Sequence, residues 1–175
     1  MHSDQGRIVS HFACVQGAVN LYSNESEDGG TLLMQGSHSK FSEYCASHPI
    51  DGIKAFFPID PEDSLLADCP VIKPCLNEGE ILLWDSRTFH CNVTPVSQHP
   101  RMCIYVSMMP KSYAAEYELQ KRRKLAQGGR MTGHWCYGPF FSINPKEPNP
   151  MYTKDLPQPQ TEIAEMTPAR KALIG

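Results

Sequence analysis

Short apolar runs separated by turn-forming clusters dominate the first two-thirds of the chain. Residues 79–85, Gly-Glu-Ile-Leu-Leu-Trp-Asp, read as a turn followed by a branched, apolar strand, with His90 near its far end. Residues 101–108 are strand-like again, and the segment from Thr94-Pro95 to His99-Pro100 supplies the loop between the two runs. Antiparallel pairing of these runs predicts Arg101 beside His90. Residues 11–22 alternate loosely as a strand does, which turns Gln16 inward, and residues 31–35 form the next strand after an acidic, turn-rich stretch at 24–30. Residues 71–76 make a short strand that Pro74 assigns to a sheet edge.

Helical signals are fewer. Residues 39–51 suggest a short helix and loop, and Phe56-Phe57-Pro58 precedes an irregular acidic segment that runs to Cys69. Residues 111–127, rich in Ala, Glu, Leu and Lys and stopped by Gly128-Gly129, are the one convincing helix; their basic run at 121–124 reads as a solvated face. Beyond Pro139 the chain carries Pro145, Pro148, Pro150, Pro157 and Pro159, the composition of an extended strap or disordered tail without a fold of its own. The organisation expected is one core over residues 1–142 and a Pro-rich tail over 143–175. No internal repeat is present.

Composition narrows the function classes. A chain of 175 residues can bury a core of ordinary size. A net charge of −3 and a pI near 6.1 give no electrostatic case for nucleic acid or an anionic membrane. No apolar run approaches the roughly 20 residues that span a bilayer and no signal peptide opens the chain, so a cytoplasmic protein is expected. The seven cysteines are odd in number and lack C-x-x-C spacing, which points to thiols rather than a disulfide framework. Cys14 and Cys103 fall in strand-like runs and read as small buried hydrophobes.

The candidate chemistry lies in His2, Asp4, His90 and Arg101. In an extended segment, residues two apart share a face, so the H-x-D triplet His2-Ser3-Asp4 can turn both ligands toward one ion. Two imidazoles and one carboxylate suit divalent iron and leave coordination positions open. The absence of sulfur from the set argues against a closed structural zinc site. A guanidinium nearby can hold a carboxylate through two parallel hydrogen bonds.

Four blocks in this order, His2-Ser3-Asp4-Gln5, then Asp28-Gly29-Gly30 through Gly36-Ser37-His38, then residues 79–90, then Arg101, resemble the catalytic core of the phytanoyl-CoA dioxygenase family. The resemblance covers residues 2 to about 135. It implies a mainly β double-stranded β-helix (jelly-roll, cupin-like) with a few helices, and an iron(II)- and 2-oxoglutarate-dependent dioxygenase. Such an enzyme hydroxylates a small organic or acyl substrate with molecular oxygen and releases succinate and CO2. Carried onto this sequence, it implies that His2, Asp4 and His90 bind Fe(II), that Arg101 pairs with the distal carboxylate of 2-oxoglutarate, and that Asn92 helps to hold the same cosubstrate. Asp4 favours hydroxylation over halogenation, because halogenating relatives replace that carboxylate by a small residue.

Two departures bear on these expectations. Gln35 stands where the family usually has Pro, a change that touches no ligand. Family members also carry helices and at least one core strand before H-x-D, whereas only Met1 precedes it here. Because chain ends fray unless tied down, His2 needs something to pin it, and an unpaired sheet edge would be open to a second copy of the chain. The alternatives are a catalytically inactive cupin-like binding or scaffold protein derived from such an enzyme, and a zinc hydrolase with an open fourth position. His38 reads as a turn or helix-start residue. Trp135, beside His134, could wall a substrate pocket or pack structurally.

Overall fold

A computed structural model describes residues 1–6, 9–49, 57–128, 130–132, 136, 142–143 and 167–174. The chain divides into two compact units, Met1–Met108 and Met109–Gly175.

The first unit is mainly β. Its described strands are β1 (His2–Ser3), β2 (Val15–Asn20), β3 (Gly30–Met34), β4 (Phe57–Pro58), β5 (Val71–Ile72), β6 (Ile81–Asp85), β7 (His90–Val93) and β8 (Cys103–Met108), with the helix α1 (Ser37–Ser47) after β3 and a 3-10 turn at Ser64–Leu66. They form two antiparallel sheets, one of five strands in the order β4-β1-β7-β3-β5 and one of three in the order β6-β2-β8. After β5, each of β6, β7 and β8 lies in the sheet opposite its predecessor. This crossing separates β7 from β8, so the expected pairing of these two neighbours in sequence is not what forms: β7 pairs with β1 and β3, and β8 with β2.

Alternation explains why the two sheets can pack. Gln16 and Ala18 on β2 and Leu82 and Trp84 on β6 share a face, and Ala18, Trp84 and Leu33 of the opposite sheet form one buried cluster with Leu82 against it. The other face of the three-stranded sheet is apolar yet open, with Ile81, Leu83, Ile104 and Met108 each about half exposed. On that face Gly17 matters: a Cβ there would stand 2.6 Å from the Leu82 carbonyl and 2.7 Å from a Leu83 methyl. The second core lies around α1, where Phe41, Tyr44 and Cys45 pack with Met34, Phe57, Ile59, Leu66 and Phe89.

Several boundaries differ from the sequence reading. Helix α1 starts at Ser37, two residues before the expected 39, because Gly36 adopts φ 84° and reverses the chain directly after β3. Strand β5 ends before Pro74, at the sheet edge as expected. Strand β8 begins at Cys103, leaving Arg101 in the connection that enters it. Cys14 is fully buried and Cys103 partly so.

In the second unit, the expected helix over 111–127 is shorter. Residues Lys111–Tyr113 form a single 3-10 turn, Ala114 and Ala115 are extended, and α2 runs over Glu116–Gln127. The Glu118 carboxylate accepts the Ala115 backbone N–H at 3.0 Å, closing the helix start there, which Ala-rich propensity alone does not mark. Strands β9 (Met131–Thr132) and β10 (Ser142–Ile143) pair, and α3 spans Pro168–Ile174. His134, Trp135, Phe56 and the Pro-rich segment over 145–159 lie outside the described residues. Among the described residues no helix is long and apolar enough to cross a membrane.

Candidate metal centre

Local strand geometry assembles the three candidate ligands. His2 on β1 is the direct cross-strand partner of His90 on β7, which sets both imidazoles on one face with ring centroids 4.4 Å apart. Asp4, two residues beyond His2, shares that face. Its Oδ1 lies 3.6 Å from His2 Nε2 and its Oδ2 lies 3.5 Å from His90 Nε2. All three ligand atoms fall within 4.8 Å of one another. Ligands about 2.1 Å from a common ion and at right angles stand roughly 3 Å apart, so a small inward movement would close the set. The residues fit a divalent ion by donor type and by convergence.

The first-strand segment is held on both sides. β1 runs between β4 and β7, and the Met1 carbonyl accepts the Ile59 N–H at 3.0 Å. Gln5, fully buried, adds a tie that the sequence reading passed over. Its Oε1 accepts the Ser86 hydroxyl at 2.6 Å, while its Nε2 donates to the carbonyls of His11 at 2.9 Å and of Val9. Ser86 in turn accepts the Cys14 N–H at 3.2 Å. A buried glutamine thus joins the segment bearing His2 and Asp4 to the turn that delivers His90, and nothing in local pattern marks Gln5 apart from its neighbours.

That turn is built around Asp85. Its carboxylate accepts the Arg87 backbone N–H at 2.9 Å and both arms of the Arg87 guanidinium at 2.9 and 2.7 Å. Burial pushes the Asp85 carboxyl up, but the hydrogen bonds and charge of Arg87 outweigh it and hold the group below the ordinary carboxylate range. Phe89 then drops into the α1 core with its N–H on the Ser37 hydroxyl at 2.9 Å. His90 follows, its Nδ1 2.9 Å from the Thr88 carbonyl. A carbonyl only accepts, so Nδ1 carries a proton, and Nε2 is the nitrogen turned toward Asp4 and His2 and free to serve as the ligand atom.

Behind Asp4 stands Gln16, inward-facing as its strand phase predicts and buried, donating from Nε2 to Asp4 Oδ2 at 2.9 Å. Trp84, the cross-strand neighbour of Gln16, places its ring 5.2 Å from that of His90.

Arg101 and Asn92 meet one alternation along the same face. Asn92 is two residues past His90, and its cross-strand partner is Thr31. Arg101 donates to Asn92 Oδ1 at 3.0 Å, to Thr31 Oγ1 at 3.0 Å and to the Tyr105 hydroxyl at 3.1 Å; Tyr105 also donates to Asn92 Oδ1 at 3.0 Å. Arg101 therefore reaches the site across the gap between the sheets instead of along a shared strand pair. Among the described residues its partners are all neutral, a half-buried guanidinium with no carboxylate at ion-pair distance. Thr31 and Tyr105 escaped the sequence reading; the position of Thr31 opposite Asn92 follows only once the register is known.

Known proteins resemble the chain over part of its length. The chain is 31% identical over 133 residues to "Ava biosynthesis cluster protein O" of Aspergillus versicolor, covering 70% of this chain and 43% of that protein. It is 27% identical over 109 residues to a Dictyostelium discoideum protein named "Putative phytanoyl-CoA dioxygenase", covering 62% of this chain and 31% of the other. The chain thus spans less than half the length of these curated relatives. No protein-family model matches, and no solved structure matches.

Proposed function

We propose that this chain is an iron(II)- and 2-oxoglutarate-dependent oxygenase that hydroxylates a small organic or acyl substrate, using molecular oxygen and releasing succinate and CO2. The observation that carries the reading is the convergence of His2, Asp4 and His90 on one face, with an arginine that has no counter-ion among the described residues one strand alternation away. Strand alternation between the two antiparallel sheets agrees with a double-stranded β-helix, and the name of the Dictyostelium relative points to the same class.

Each residue has a physical part. His2 and His90 would offer neutral imidazole nitrogens and Asp4 an oxygen to Fe(II), leaving positions open for the cosubstrate and oxygen. Bound iron would supply the oxygen activation, coupled to decarboxylation of the 2-oxo acid. The Thr88 carbonyl holds the His90 tautomer, and Gln16 holds Asp4 by one oxygen. Residues two apart on a strand are separated by roughly 6.6 Å, a span comparable to a five-carbon dicarboxylate lying between a metal near His90 and the guanidinium near Asn92. Arg101 would pair with the distal carboxylate, with Asn92, Thr31 and Tyr105 fixing the plane of its fork.

The donor set alone also suits a hydrolytic zinc site. The half-buried Arg101 favours a reaction with an anionic cosubstrate. Anaerobic addition of Fe(II) and 2-oxoglutarate should give the weak visible charge-transfer band of the chelate, and admission of oxygen should release succinate. A protein that gives neither overturns the oxygenase reading and leaves the scaffold and zinc-hydrolase alternatives.

A further inference from the structure

Two buried polar atoms beside the candidate metal centre have no hydrogen-bond partner among the described residues: Gln16 Oε1 and Trp84 Nε1. The residues are 2% and 7% exposed, and such orphaned groups are rare in folded proteins. Both belong to the same neighbourhood. Gln16 and Trp84 are direct cross-strand partners, so their side chains leave the sheet side by side on its inner face. Gln16 touches the Asp4 carboxylate and Trp84 the His90 ring.

Their chemistry is fixed. A carboxylate only accepts, so the Gln16 amide must turn its nitrogen to Asp4 and leave its oxygen as an unused acceptor. The indole N–H can only donate. One donor and one acceptor, both shielded from bulk water, are thus carried by cross-strand partners that each contact a metal-binding side chain.

We propose that Trp84 Nε1 and Gln16 Oε1 form the polar end of the substrate pocket and together grip a neutral hydroxyl of the substrate. This rests on the oxygenase reading and adds a substrate class to it. A hydroxyl is the smallest group able to satisfy both atoms, accepting from the indole and donating to the amide oxygen. A ketone or ether leaves Gln16 Oε1 unpaired, and a hydrocarbon leaves both atoms so. A carboxylate opposes the Gln16 oxygen and lies close to Asp4, while an ammonium opposes the Trp84 N–H. Substrates carrying an alcohol close to the carbon that reacts are therefore selected.

The test uses the full chain loaded with Mn(II) and saturated with 2-oxoglutarate, without oxygen. Mn(II) binding is measured first, from the free-ion spin resonance signal, in the native protein and in His90→Ala. The probes are then 2-propanol, acetone and acetate, matched in size, with proton relaxation by the bound Mn(II) reporting both occupancy and nearness to the metal. The native protein should relax 2-propanol most strongly. Trp84→Phe, which keeps an aromatic ring and removes only the donor, should weaken 2-propanol about tenfold, the worth of one buried hydrogen bond, with Mn(II) affinity unchanged. Equal relaxation by all three probes, relaxation by none, or a 2-propanol preference that survives Trp84→Phe would overturn the proposal, the two buried atoms then being served by water alone. Because the ranking of probes in the native protein is itself decisive, a variant that fails to fold does not rescue the idea. Mn(II) binding that is absent, or indifferent to His90→Ala, would instead bring down the metal reading before any probe is added.

Discussion

His2 and His90 are direct partners across the antiparallel pair β1 and β7, and this single register sets their rings 4.4 Å apart. Asp4 joins them because a strand returns to the same face every second residue. The centre therefore depends on register, and a one-residue slip of β1 would turn both of its ligands away. Removing either anchor of the set should be severe: Asp4→Ala and His90→Ala are each expected to lower Fe(II) affinity by more than about a hundredfold, beyond the 10–100-fold typical for groups behind the ligands. Anaerobic calorimetry with Fe(II) measures this directly, and near-native affinity in either variant would remove the site.

Arg101 supplies a separable effect. Its partners Asn92, Thr31 and Tyr105 are neutral, so its charge is available to a carboxylate. Arg101→Ala should leave metal affinity alone and weaken 2-oxoglutarate by tens of fold, the low end of the roughly 2–5 kcal/mol for losing one partner of a buried charge pair, because Arg101 is only half-buried. Arg101→Lys should recover little, since an ammonium cannot reproduce the planar fork that meets Asn92 and Thr31 together. Titrating 2-oxoglutarate into the Fe(II) protein, with the chelate band as signal, distinguishes the two outcomes.

Gln5 should be more costly to lose than its unremarkable sequence context suggests. Gln5→Ala strands the Ser86 hydroxyl and the carbonyls of Val9 and His11, all tied to it now. A loss of about 2–3 kcal/mol in urea unfolding is predicted, together with a drop in metal affinity as the His2–Asp4 segment loosens. Gln5→Glu keeps the acceptor for Ser86 but sets a buried carboxylate oxygen against the carbonyls of Val9 and His11, and should be at least as destabilising at pH 7. If Gln5→Ala unfolds like the native chain, the tie carries no weight.

The placements legible in the sequence share a feature: each follows from alternation within one strand, while the ligand and cosubstrate roles come from the family resemblance. His2 with Asp4, His90 with Asn92, and the inward phase of Gln16 all required only period two. What escaped was set by pairing between distant segments. Consecutive strand-like runs suggest a hairpin that sets Arg101 beside His90, yet the chain crosses between sheets at that point, and the guanidinium reaches Asn92 from the opposite side. Gln5, Ser86, Thr31 and Tyr105 gain their meaning from partners tens of residues away. The helix over 111–127 was overextended for a local reason, since propensity cannot see that Glu118 caps Ala115 and fixes the first turn there.

Acid should act on the loop that presents Arg101. The Asp28 carboxyl sits below its ordinary value of 3.8, chiefly through the Ser97 hydroxyl and then the Glu25 N–H, with burial opposing and His99 assisting. Asp28 thereby ties the segment before β3 to the one after β7, a tie reinforced by the N–H groups of Val96 and Ser97 on the Glu27 carbonyl at 2.9 and 3.1 Å. Lys73 Nζ closes the same segment on the carbonyls of Glu25 and Ser26 at 2.8 Å and of Asp28. The stem of Arg101 packs over Gly29, where a Cβ would meet its Cδ at 3.4 Å. Since the folded pKa is depressed, the stabilisation is complete above the unfolded value and disappears as pH falls through the folded one. Asp28→Asn should therefore be less stable than the native chain at pH 7, and the gap should close as the pH drops below about 4. It should also raise the KM for 2-oxoglutarate more than it lowers kcat, because the loop holds Arg101 and no metal ligand. Urea midpoints between pH 2 and pH 7 decide the first point, and a gap that persists unchanged at the acid end would refute it.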